Sequence, residues 1–288
     1  MAPIRQCLPF ISDACSYRFQ KALTMTPIEK LALVQYAALA KWTYKGLNYD
    51  GSEHSETEHQ EWAYQKINDV LDCNRISFFD RLGSQGYIAT THQGRFIAFR
   101  GTELSSARDI WRDIIACKVK GEEGAKIHKG FRRAVLVLWD DLNRQIKNAR
   151  TPVYLTGHSQ GAAMALIAAH MLLARGYDVR RVVTFGCPKT GDARFRDFLS
   201  ARTLVNRIES RMDIIPKLLL GKPVGVLHYL DDAGRIVDSP PWWHYYASHL
   251  NLGCKALRNL RFFRQQIIDD HAMTSYEWFL RHAKYRLR

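Results

Sequence analysis

Apolar residues near the start of the chain recur at helical spacing, and further along they give way to short β-rich runs. The segment PIEKLALVQYAALAKWTY (27–44) keeps its apolar positions at helical spacing and has Pro27 at its start, so it predicts a helix. From residue 86 onward, the runs GYIATTHQ and RFIAFRGT are joined around Gln93 and Gly94, which predicts a β-hairpin.

The middle of the chain alternates between helical and strand-like patterns. A helix is predicted over 131–147, and its apolar side carries Val135, Leu136, Leu138, Trp139 and Leu142. The segments that follow predict strands over 152–157, 179–186 and 203–210, separated by helices over 159–176 and 192–201.

Strands that alternate with helices at this spacing indicate right-handed βαβ units. The predicted fold class is therefore α/β, with a mostly parallel central sheet flanked by helices. We interpret residues 1–288 as a single domain in which residues 1–69 form a helical N-terminal extension.

Composition excludes disorder and leaves the charge as the unusual feature. The chain of 288 residues is 47% hydrophobic and 24% charged, as in ordinary globular proteins. It has 42 Lys and Arg against 28 Asp and Glu, a formal charge of +14. Residues 50–61 hold five acids and no Lys or Arg, so the rest has 42 basic residues against 23 acids, or +19. Such an excess indicates nucleic acid, an anionic membrane surface or a cationic coat that keeps the protein soluble.

The last 38 residues are basic as well, with eight Lys and Arg against three acids. Arg258, Arg261 and Arg264 are three residues apart and would form a stripe along a helix. No finger, helix-turn-helix or RRM signature accompanies them, so we expect no nucleic-acid partner. An anionic membrane surface is the favoured partner for this charge, and a solvated helix face is the simpler alternative.

The sequence shows no targeting or membrane-spanning segment. The apolar run Cys7–Ile11 is shorter than the roughly 7–15 residues of a signal-peptide core, and nothing approaches the roughly 18 apolar residues of a spanning helix. We therefore expect a soluble protein that is cytoplasmic or exported without such a signal. The wide spacing of the six cysteines favours buried free thiols over disulfides. A metal site is conceivable at His54, Glu58 and His59, but a solvated loop or helix start is the favoured interpretation of that segment. We expect no metal or organic cofactor, and the oligomeric state stays open.

The segment VYLTGHSQGAA contains Gly157-His158-Ser159-Gln160-Gly161, a G-x-S-x-G pentapeptide. An apolar strand precedes it and an Ala-rich helix follows it, which is the strand–turn–helix setting of a nucleophile elbow. Glycines suit so tight a turn because side chains there would collide with neighbouring backbone. We expect Ser159 to be an exposed nucleophile at the helix N-terminus, and a serine that only caps the helix is the alternative.

A serine nucleophile needs a base, and the base needs an acid that orients it. Elbow enzymes have the chain order Ser, Asp or Glu, His. The acids after Ser159 include Asp192, Asp197, Asp213, Asp231 and Asp238. Asp213 is favoured because it follows a predicted strand at the edge where an open α/β sheet presents its site, whereas Asp192 has a helix-capping explanation.

Several histidines after Ser159 are candidates for the base: His228, His244, His249, His271 and His282. His271 is favoured because it lies in a polar turn before the last amphipathic helix. His228 lies in a predicted strand and His244 lies among aromatic residues, where a packed histidine is the simpler interpretation.

Six motifs occur in order along the chain: FRGT (99–102), IHKGF (127–131), GHSQG (157–161), TFGCP (184–188), DIIP (213–216) and DHAM (270–273), the last followed by Tyr276. With these motifs the chain resembles the class 3 lipase family of α/β-hydrolases, which includes fungal triacylglycerol lipases and plant and bacterial lipid esterases. The resemblance covers roughly residues 70–282 and implies the α/β-hydrolase fold.

The resemblance also implies roles for individual residues. It implies Ser159 as nucleophile, Asp213 as orienting acid and His271 as base, which agrees with the choices above. It further implies an oxyanion hole formed by the hydroxyl and backbone N–H of Thr102 and by the backbone N–H of Gln160.

The segment ELSSARDIWRDIIACK, which follows Thr102, predicts an amphipathic helix. Its apolar face carries Ile110, Trp111, Ile114 and Ile115. In the resembling lipases a helix at this position is a lid over the acyl pocket, and packing on the core is the alternative. The aromatic cluster PPWWHYYASHL (240–250) is consistent with acyl-chain or interface contacts and equally with core packing.

These features predict a serine hydrolase that cleaves carboxylic esters of lipids through an acyl-enzyme. Triacylglycerol lipase and phospholipase A1 activity on anionic membranes both stay open, because pocket shape and lid length decide the choice of headgroup. The alternative from another class is a catalytically silent protein on a hydrolase scaffold, which binds membranes or polyanions through its charge.

Overall fold

A computed structural model describes residues 27–44, 56–101, 118–210, 213–217, 221–231, 235–238 and 271–285. The helices in these ranges are α1 (Pro27–Lys41), α2 (Glu56–Leu71), α3 (Lys129–Gln145), α4 (Gln160–Leu173), α5 (Ala193–Ser200) and α6 (Met273–His282). The strands are β1 (Arg75–Arg81), β2 (Ser84–Thr91), β3 (Gly94–Phe99), β4 (Lys118–Lys120), β5 (Lys126–His128), β6 (Val153–His158), β7 (Val179–Phe185), β8 (Leu204–Ser210), β9 (Val226–Leu230), β10 (Arg235–Asp238) and β11 (Lys284–Tyr285). Short 3-10 turns cover Glu122–Gly124 and Ile215–Lys217.

The central sheet is mostly parallel, as the alternating pattern predicts. Its strands lie in the order β1-β2-β3-β6-β7-β8-β9-β10-β11. Strands β3, β6, β7, β8 and β9 are parallel neighbours, whereas β1, β2 and β3 form antiparallel pairs. The predicted hairpin around Gln93 and Gly94 is present as β2–β3.

The sheet begins earlier than residue 86, where the sequence predicts the first strand. β1 starts at Arg75 and is an edge strand. Phe79 is its one fully buried position, so the strand lacks the regular apolar alternation by which a half-buried strand is recognised.

Helices cover both faces of the sheet, and alternate residues of a strand point to opposite faces. On β7, Val182 packs in a core with α3 and α4, whereas Val183 packs in a second core with α1 and α6. The buried stripe of α3 consists of Phe131, Ala134, Val135, Leu138, Trp139 and Leu142. The prediction that Leu136 belongs to this stripe is wrong: it is 42% exposed, because it lies roughly 100° around the helix from Val135.

The N-terminal helix α1 packs against α6, which lies near the other end of the chain. Lys41 Nζ lies 2.8 Å from Glu277 Oε2, and Lys30 Nζ donates to the Ala283 carbonyl at 2.5 Å. The helix predicted over 27–44 is confirmed, but it ends at Lys41 and is followed by a turn to Tyr44. The interpretation of the whole chain as one domain stays a prediction.

The parallel strands place three chain segments at one edge of the sheet. His158 ends β6, Phe185 ends β7 and Ser210 ends β8, and these carboxyl ends lie side by side. Residues that follow these strands therefore meet at the edge where an α/β sheet presents its site.

Candidate active site

Ser159 occupies the turn between β6 and α4. Its backbone has φ 56° and ψ −125°, a conformation that residues with a side chain rarely adopt. The flanking glycines allow this turn: a Cβ on Gly157 would lie 2.3 Å from the Gly161 carbonyl oxygen, and one on Gly161 would lie 2.2 Å from that of Phe99. The Ser159 side chain makes no capping hydrogen bond to α4, so the alternative of a simple helix cap is not supported.

Ser159 is 2% exposed, so the expectation of an exposed nucleophile is wrong for this structure. Its N–H donates to the Phe185 carbonyl at 2.9 Å, which ties the turn to the end of β7. A Cβ on Gly101 would lie 3.1 Å from Ser159 Cβ. The chain that leaves β3 therefore covers the serine from one side.

Asp213 and His271 form a buried pair, with exposures of 0% and 1%. The Nδ1–H of His271 donates to Asp213 Oδ2 at 2.7 Å. Tyr276 donates its hydroxyl proton to the same oxygen at 2.6 Å, and the Ile215 N–H donates to Asp213 Oδ1 at 2.9 Å.

Burial alone would raise the pKa of Asp213. The charge and hydrogen bond of His271, together with the donors Tyr276 and Ile215, outweigh it and hold the pKa below its usual value. The carboxylate is therefore ionised at neutral pH and can orient the imidazole.

Phe185 and Gly186 connect this pair to the Ser159 turn. Ser159 is bonded to Phe185, and a Cβ on the next residue, Gly186, would lie 2.6 Å from Asp213 Oδ2 and 3.0 Å from His271 Cε1. Gly186 has φ +55°, so a glycine is favoured here by conformation as well as by space. His271 Nε2 is buried and has no hydrogen-bond partner within the described part of the chain.

The other acid candidates lie elsewhere or are engaged otherwise. Asp192 Oδ1 accepts from the Phe195 N–H at 3.0 Å and caps α5, as its alternative interpretation expects. Asp197 is paired with Arg196, and Asp231 accepts from the Arg235 backbone and side chain. The side chain of Asp238 lies outside the described set.

Among the other histidine candidates, His228 Nε2 lies 2.9 Å from Asn206 Nδ2, and His282 Nδ1 lies 2.8 Å from the Trp278 carbonyl. His244 and His249 lie outside the described residues. Of the histidines that the structure describes, His271 is the one brought to Asp213.

The oxyanion and lid predictions are only partly within the described structure. Gln160 is the first residue of α4, so its backbone N–H lies at the N-terminal end of the helix. Thr102 and the predicted lid residues Ile110, Trp111, Ile114 and Ile115 lie outside the described residues, as does the aromatic cluster at 240–250.

Sequence reasoning did not single out His158 or Tyr44, which both contact the site. His158 Nε2 lies 2.6 Å from the His271 carbonyl, and its Nδ1 lies 2.5 Å from the Tyr44 hydroxyl. His158 lies inside the G-x-S-x-G pentapeptide, so its place in the sequence already indicated that it lies close to Ser159. Nothing in the local pattern distinguishes Tyr44 from the other aromatic residues of the segment 27–44.

No group of three or more His, Cys, Asp and Glu side chains in the described ranges is arranged to hold a metal ion. Of the cysteines that the structure describes, Cys73 and Cys187 are free thiols. The helices in these ranges lack the combination of length and apolarity needed to cross a bilayer.

Residues 96–222 match the family model for class 3 lipases. This part of the chain is similar to class 3 lipases. The matched range contains the Ser159 turn and Asp213, while His271 lies beyond it.

The curated relatives that this segment matches include fungal lipases. A secreted mono- and diacylglycerol lipase of Malassezia restricta is 31% identical over 178 residues, which cover 55% of this chain and 57% of that protein. A secreted mono- and diacylglycerol lipase of Penicillium cyclopium is 29% identical over 170 residues, which cover 55% of this chain and 51% of that protein. The chain thus spans about half the length of the curated relatives it matches.

Solved lipase structures share the fold. The lipase of Rhizopus microsporus var. chinensis has a TM-score of 0.58 at 24% identity, covering 72% of this chain and 76% of its own. The triacylglyceride lipase of Rhizomucor miehei has a TM-score of 0.60 at 23% identity, covering 75% and 85%. The α/β-hydrolase fold expected for a class 3 lipase is therefore confirmed.

Proposed function

We propose that the protein is a serine hydrolase that cleaves carboxylic ester bonds of lipids. Ser159 is the proposed nucleophile, His271 the base and Asp213 the acid that orients the base. The observation that carries this proposal is a serine on a strained strand–helix turn, beside a buried His–Asp pair whose outer nitrogen is unpartnered within the described residues.

In the proposed reaction, His271 Nε2 accepts the proton of Ser159 Oγ as this oxygen attacks the ester carbonyl. The imidazolium that forms keeps its Nδ1–H on Asp213, whose lowered pKa leaves the carboxylate charged. Nε2 then donates its proton to the leaving alcohol. A water molecule, deprotonated by the same nitrogen, hydrolyses the acyl-enzyme and regenerates the serine.

We propose the backbone N–H of Gln160 and the hydroxyl and N–H of Thr102 as donors to the oxyanion. The dipole of α4 favours negative charge at Gln160, and Thr102 directly follows Gly101, which lies against Ser159. A prearranged donor of this kind contributes about 3–4 kcal/mol to transition-state stabilisation.

The substitution Ser159→Ala tests the nucleophile. We expect it to lower kcat/KM for a soluble p-nitrophenyl ester by about 10⁴- to 10⁶-fold, with unchanged thermal unfolding. A fluorophosphonate probe should label the wild-type protein and not the variant. Ser200→Ala, at the end of α5, is the matched control and should keep full activity and labelling. Hydrolysis retained by Ser159→Ala would contradict the proposal.

The substrate class we propose is acylglycerol. The relatives from Malassezia restricta and Penicillium cyclopium are named as mono- and diacylglycerol lipases, which supports partial glycerides as the first substrates to test. Phospholipase A1 activity is the alternative within the same chemistry. Incubation with a mixture of mono-, di- and triacylglycerols and phosphatidylglycerol, followed by mass spectrometry of the products, separates them, since only the alternative predicts lysophospholipid.

We further propose that an anionic membrane surface binds the positive charge of the protein. The hairpin β4–β5 places the exposed side chains of Lys118, Lys120 and Lys126 on one face, because Lys120 pairs with Lys126 and Lys118 lies two residues before Lys120. Ile127 of β5 forms a β-bridge with Gly191, and Gly191 forms another with Lys222. The hairpin therefore lies next to the chain that follows β7.

A flotation assay with the Ser159→Ala protein tests this partner without turnover of the vesicles. Reversal of the three lysines to Glu should weaken binding to phosphatidylglycerol-containing vesicles by about 100-fold, at about 1 kcal/mol for each charge near the membrane. The matched control reverses Lys147, Arg150 and Arg202, which are exposed near the opposite edge of the sheet. Equal losses in the two triple variants would contradict a located binding surface.

The rival proposal is a catalytically silent binding protein on the hydrolase scaffold. It predicts no fluorophosphonate labelling of Ser159 together with salt-sensitive binding to polyanions.

The names of the two relatives include the word secreted, which favours export over a cytoplasmic location for this chain.

A further inference from the structure

Tyr44 connects the N-terminal segment to the candidate site. It lies three residues after the end of α1 and outside the range that matches the class 3 lipase model. Its hydroxyl oxygen lies 2.5 Å from His158 Nδ1, and the centroids of the two rings are 5.9 Å apart. Tyr44 therefore contacts the residue that directly precedes Ser159.

His158 in turn holds the backbone of the candidate base. A carbonyl oxygen can only accept, so the 2.6 Å contact with the His271 carbonyl requires a hydrogen on His158 Nε2. Burial, together with the nearby His271, lowers the pKa of His158 to about 3, so its ring is neutral. Nδ1 is then an acceptor, and the Tyr44 hydroxyl donates to it. The two hydrogen bonds together select one tautomer and one orientation of this ring.

Tyr44 also contacts the chain that leads to the proposed oxyanion donor. Its hydroxyl would lie 2.7 Å from a Cβ on Gly101, and the guanidinium carbon of Arg100 lies 5.4 Å from the centroid of its ring. Arg100 and Gly101 directly precede Thr102. One side chain thus touches both the segment before Thr102 and the histidine that holds His271.

The position of Tyr44 is coupled to the helix that follows His271. The Thr43 hydroxyl donates to the Ala40 carbonyl at 2.7 Å and closes the end of α1. The salt bridge between Lys41 and Glu277 joins that end to α6, and its side chains are 11% and 9% exposed. Since α6 begins two residues after His271 and shares a buried core with α1, the end of α1 is joined to the segment that carries the candidate base.

We propose that Tyr44 is a positioning residue for ester hydrolysis, which through His158 fixes the His271 backbone and so the direction of Nε2 towards Ser159. The inference rests on the proposed function. Tyr44 acts through His158, and it orders the base without taking part in proton transfer.

The substitution Tyr44→Phe removes the hydroxyl and keeps the ring. We expect kcat for a soluble p-nitrophenyl ester to fall by about 10- to 100-fold, because a misplacement of about 1 Å costs rates of that order. KM should stay unchanged if Tyr44 acts through His158 and not on the bound ester. If Tyr44 acted by packing alone, Tyr44→Phe would keep the wild-type kcat and only Tyr44→Leu would lose it.

Tyr87→Phe is the matched control for these measurements. Tyr87 is fully buried and donates its hydroxyl proton to the Leu39 carbonyl of α1 at 2.9 Å, so it loses a comparable hydrogen bond away from the site. Thermal unfolding of both variants separates loss of stability from loss of activity. Equal kcat values for Tyr44→Phe and Tyr87→Phe would overturn the inference.

A second measurement does not depend on turnover. In the Ser159→Ala protein labelled with ¹⁵N-histidine, His158 should show a protonated Nε2 and an acceptor Nδ1, and it should not titrate between about pH 5 and 8. Tyr44→Phe should shift the Nδ1 resonance, and an unchanged resonance would contradict the contact. An inactive wild-type protein would overturn the proposed function and the positioning role of Tyr44 together, whereas active wild type with unimpaired Tyr44→Phe would overturn the inference alone.

Discussion

The turns that follow β7 and β8 each carry an aspartate, and the structure uses the two residues differently. Asp213, after β8, is fully buried and bonded to His271 and Tyr276. Asp192, after β7, is partly exposed and accepts from the Phe195 N–H at the start of α5. Both carboxylates follow neighbouring parallel strands, so closeness to a strand end does not by itself identify the acid of a candidate site.

Their neighbours explain the difference. One carboxylate oxygen of Asp213 accepts a hydrogen bond from the Ile215 N–H in the same turn, and the other accepts hydrogen bonds from His271 and Tyr276. Lys217 Nζ also donates to the Asp213 backbone carbonyl at 2.9 Å. The N–H of Asp192 instead donates to the Lys126 carbonyl of β5, which ties that turn to the small hairpin.

Among the substitutions that test this comparison, the largest effect is expected for Asp213→Asn. An amide cannot orient the imidazole as the carboxylate does, so kcat for a soluble ester should fall by about 10⁴-fold. Steady-state kinetics measure the loss, and circular dichroism checks the fold. Asp197→Asn, an exposed residue of α5, is the matched control and should leave kcat unchanged. An equal or greater loss in Asp192→Asn would reverse the ranking of the two aspartates.

A smaller effect is expected for Tyr276→Phe, which removes one donor from Asp213 Oδ2. A hydrogen bond to a charged group contributes roughly 1.5–3 kcal/mol, and we expect kcat to fall by about ten-fold. Tyr87→Phe serves as the control, because it loses a buried hydroxyl that does not contact the Asp213–His271 pair. A variant with wild-type kcat would show that Tyr276 contributes packing only.

Tyr276→Phe should also change how the free energy of unfolding depends on pH in the acid range. The pKa of Asp213 is lower in the folded protein than the unfolded value of about 3.9, so its stabilisation is complete above that pH and is lost as pH falls through the folded pKa. Loss of the Tyr276 donor raises the folded pKa and moves this loss to higher pH. Urea unfolding of wild type and Tyr276→Phe between about pH 3 and 7 measures the shift.

The smallest effect is expected for Asp192→Ala, which removes the cap of α5. Such a loss costs about 1 kcal/mol of the free energy of unfolding at neutral pH, and kcat should not change. Burial alone would raise the pKa of Asp192, but backbone hydrogen bonds with Phe195 and Lys126 outweigh it and lower the pKa. The difference in the free energy of unfolding between Asp192→Ala and wild type should therefore shrink as pH falls through the folded pKa of Asp192. Asp197→Ala is the control on the same helix, and urea unfolding is the measurement.

The fold was largely predictable because the patterns are local. Strands that alternate with helices indicated a parallel sheet, and every helix and strand predicted between 131 and 210 is present within a few residues. β1 was missed because an edge strand with one buried residue carries a weak pattern. Leu136 was assigned to the wrong side of α3 because an apolar residue next to a buried stripe looks like part of it.

The candidate site was predictable to the extent that its residues lie in ordered motifs. The structure places His271 on Asp213, which agrees with the choice from strand ends and family motifs, and their catalytic roles stay predictions. The burial of Ser159 was not predictable, because it depends on segments that follow other strands, such as Gly101 after β3. The contact of Tyr44 with His158 spans 114 positions along the chain, and no local pattern encodes such a pairing.

By itself, the sequence determined the order of helices and strands, the glycines around Ser159 and the chain order of serine, aspartate and histidine, since these depend on local conformation and spacing. Only the tertiary structure decided which aspartate meets His271 and which caps a helix. It also decided that the turn after α1, far from the elbow in sequence, places Tyr44 against the elbow residue His158. These outcomes depend on how strands and helices pack across the sheet, because a hydrogen bond forms only between groups that the whole fold brings within about 3 Å.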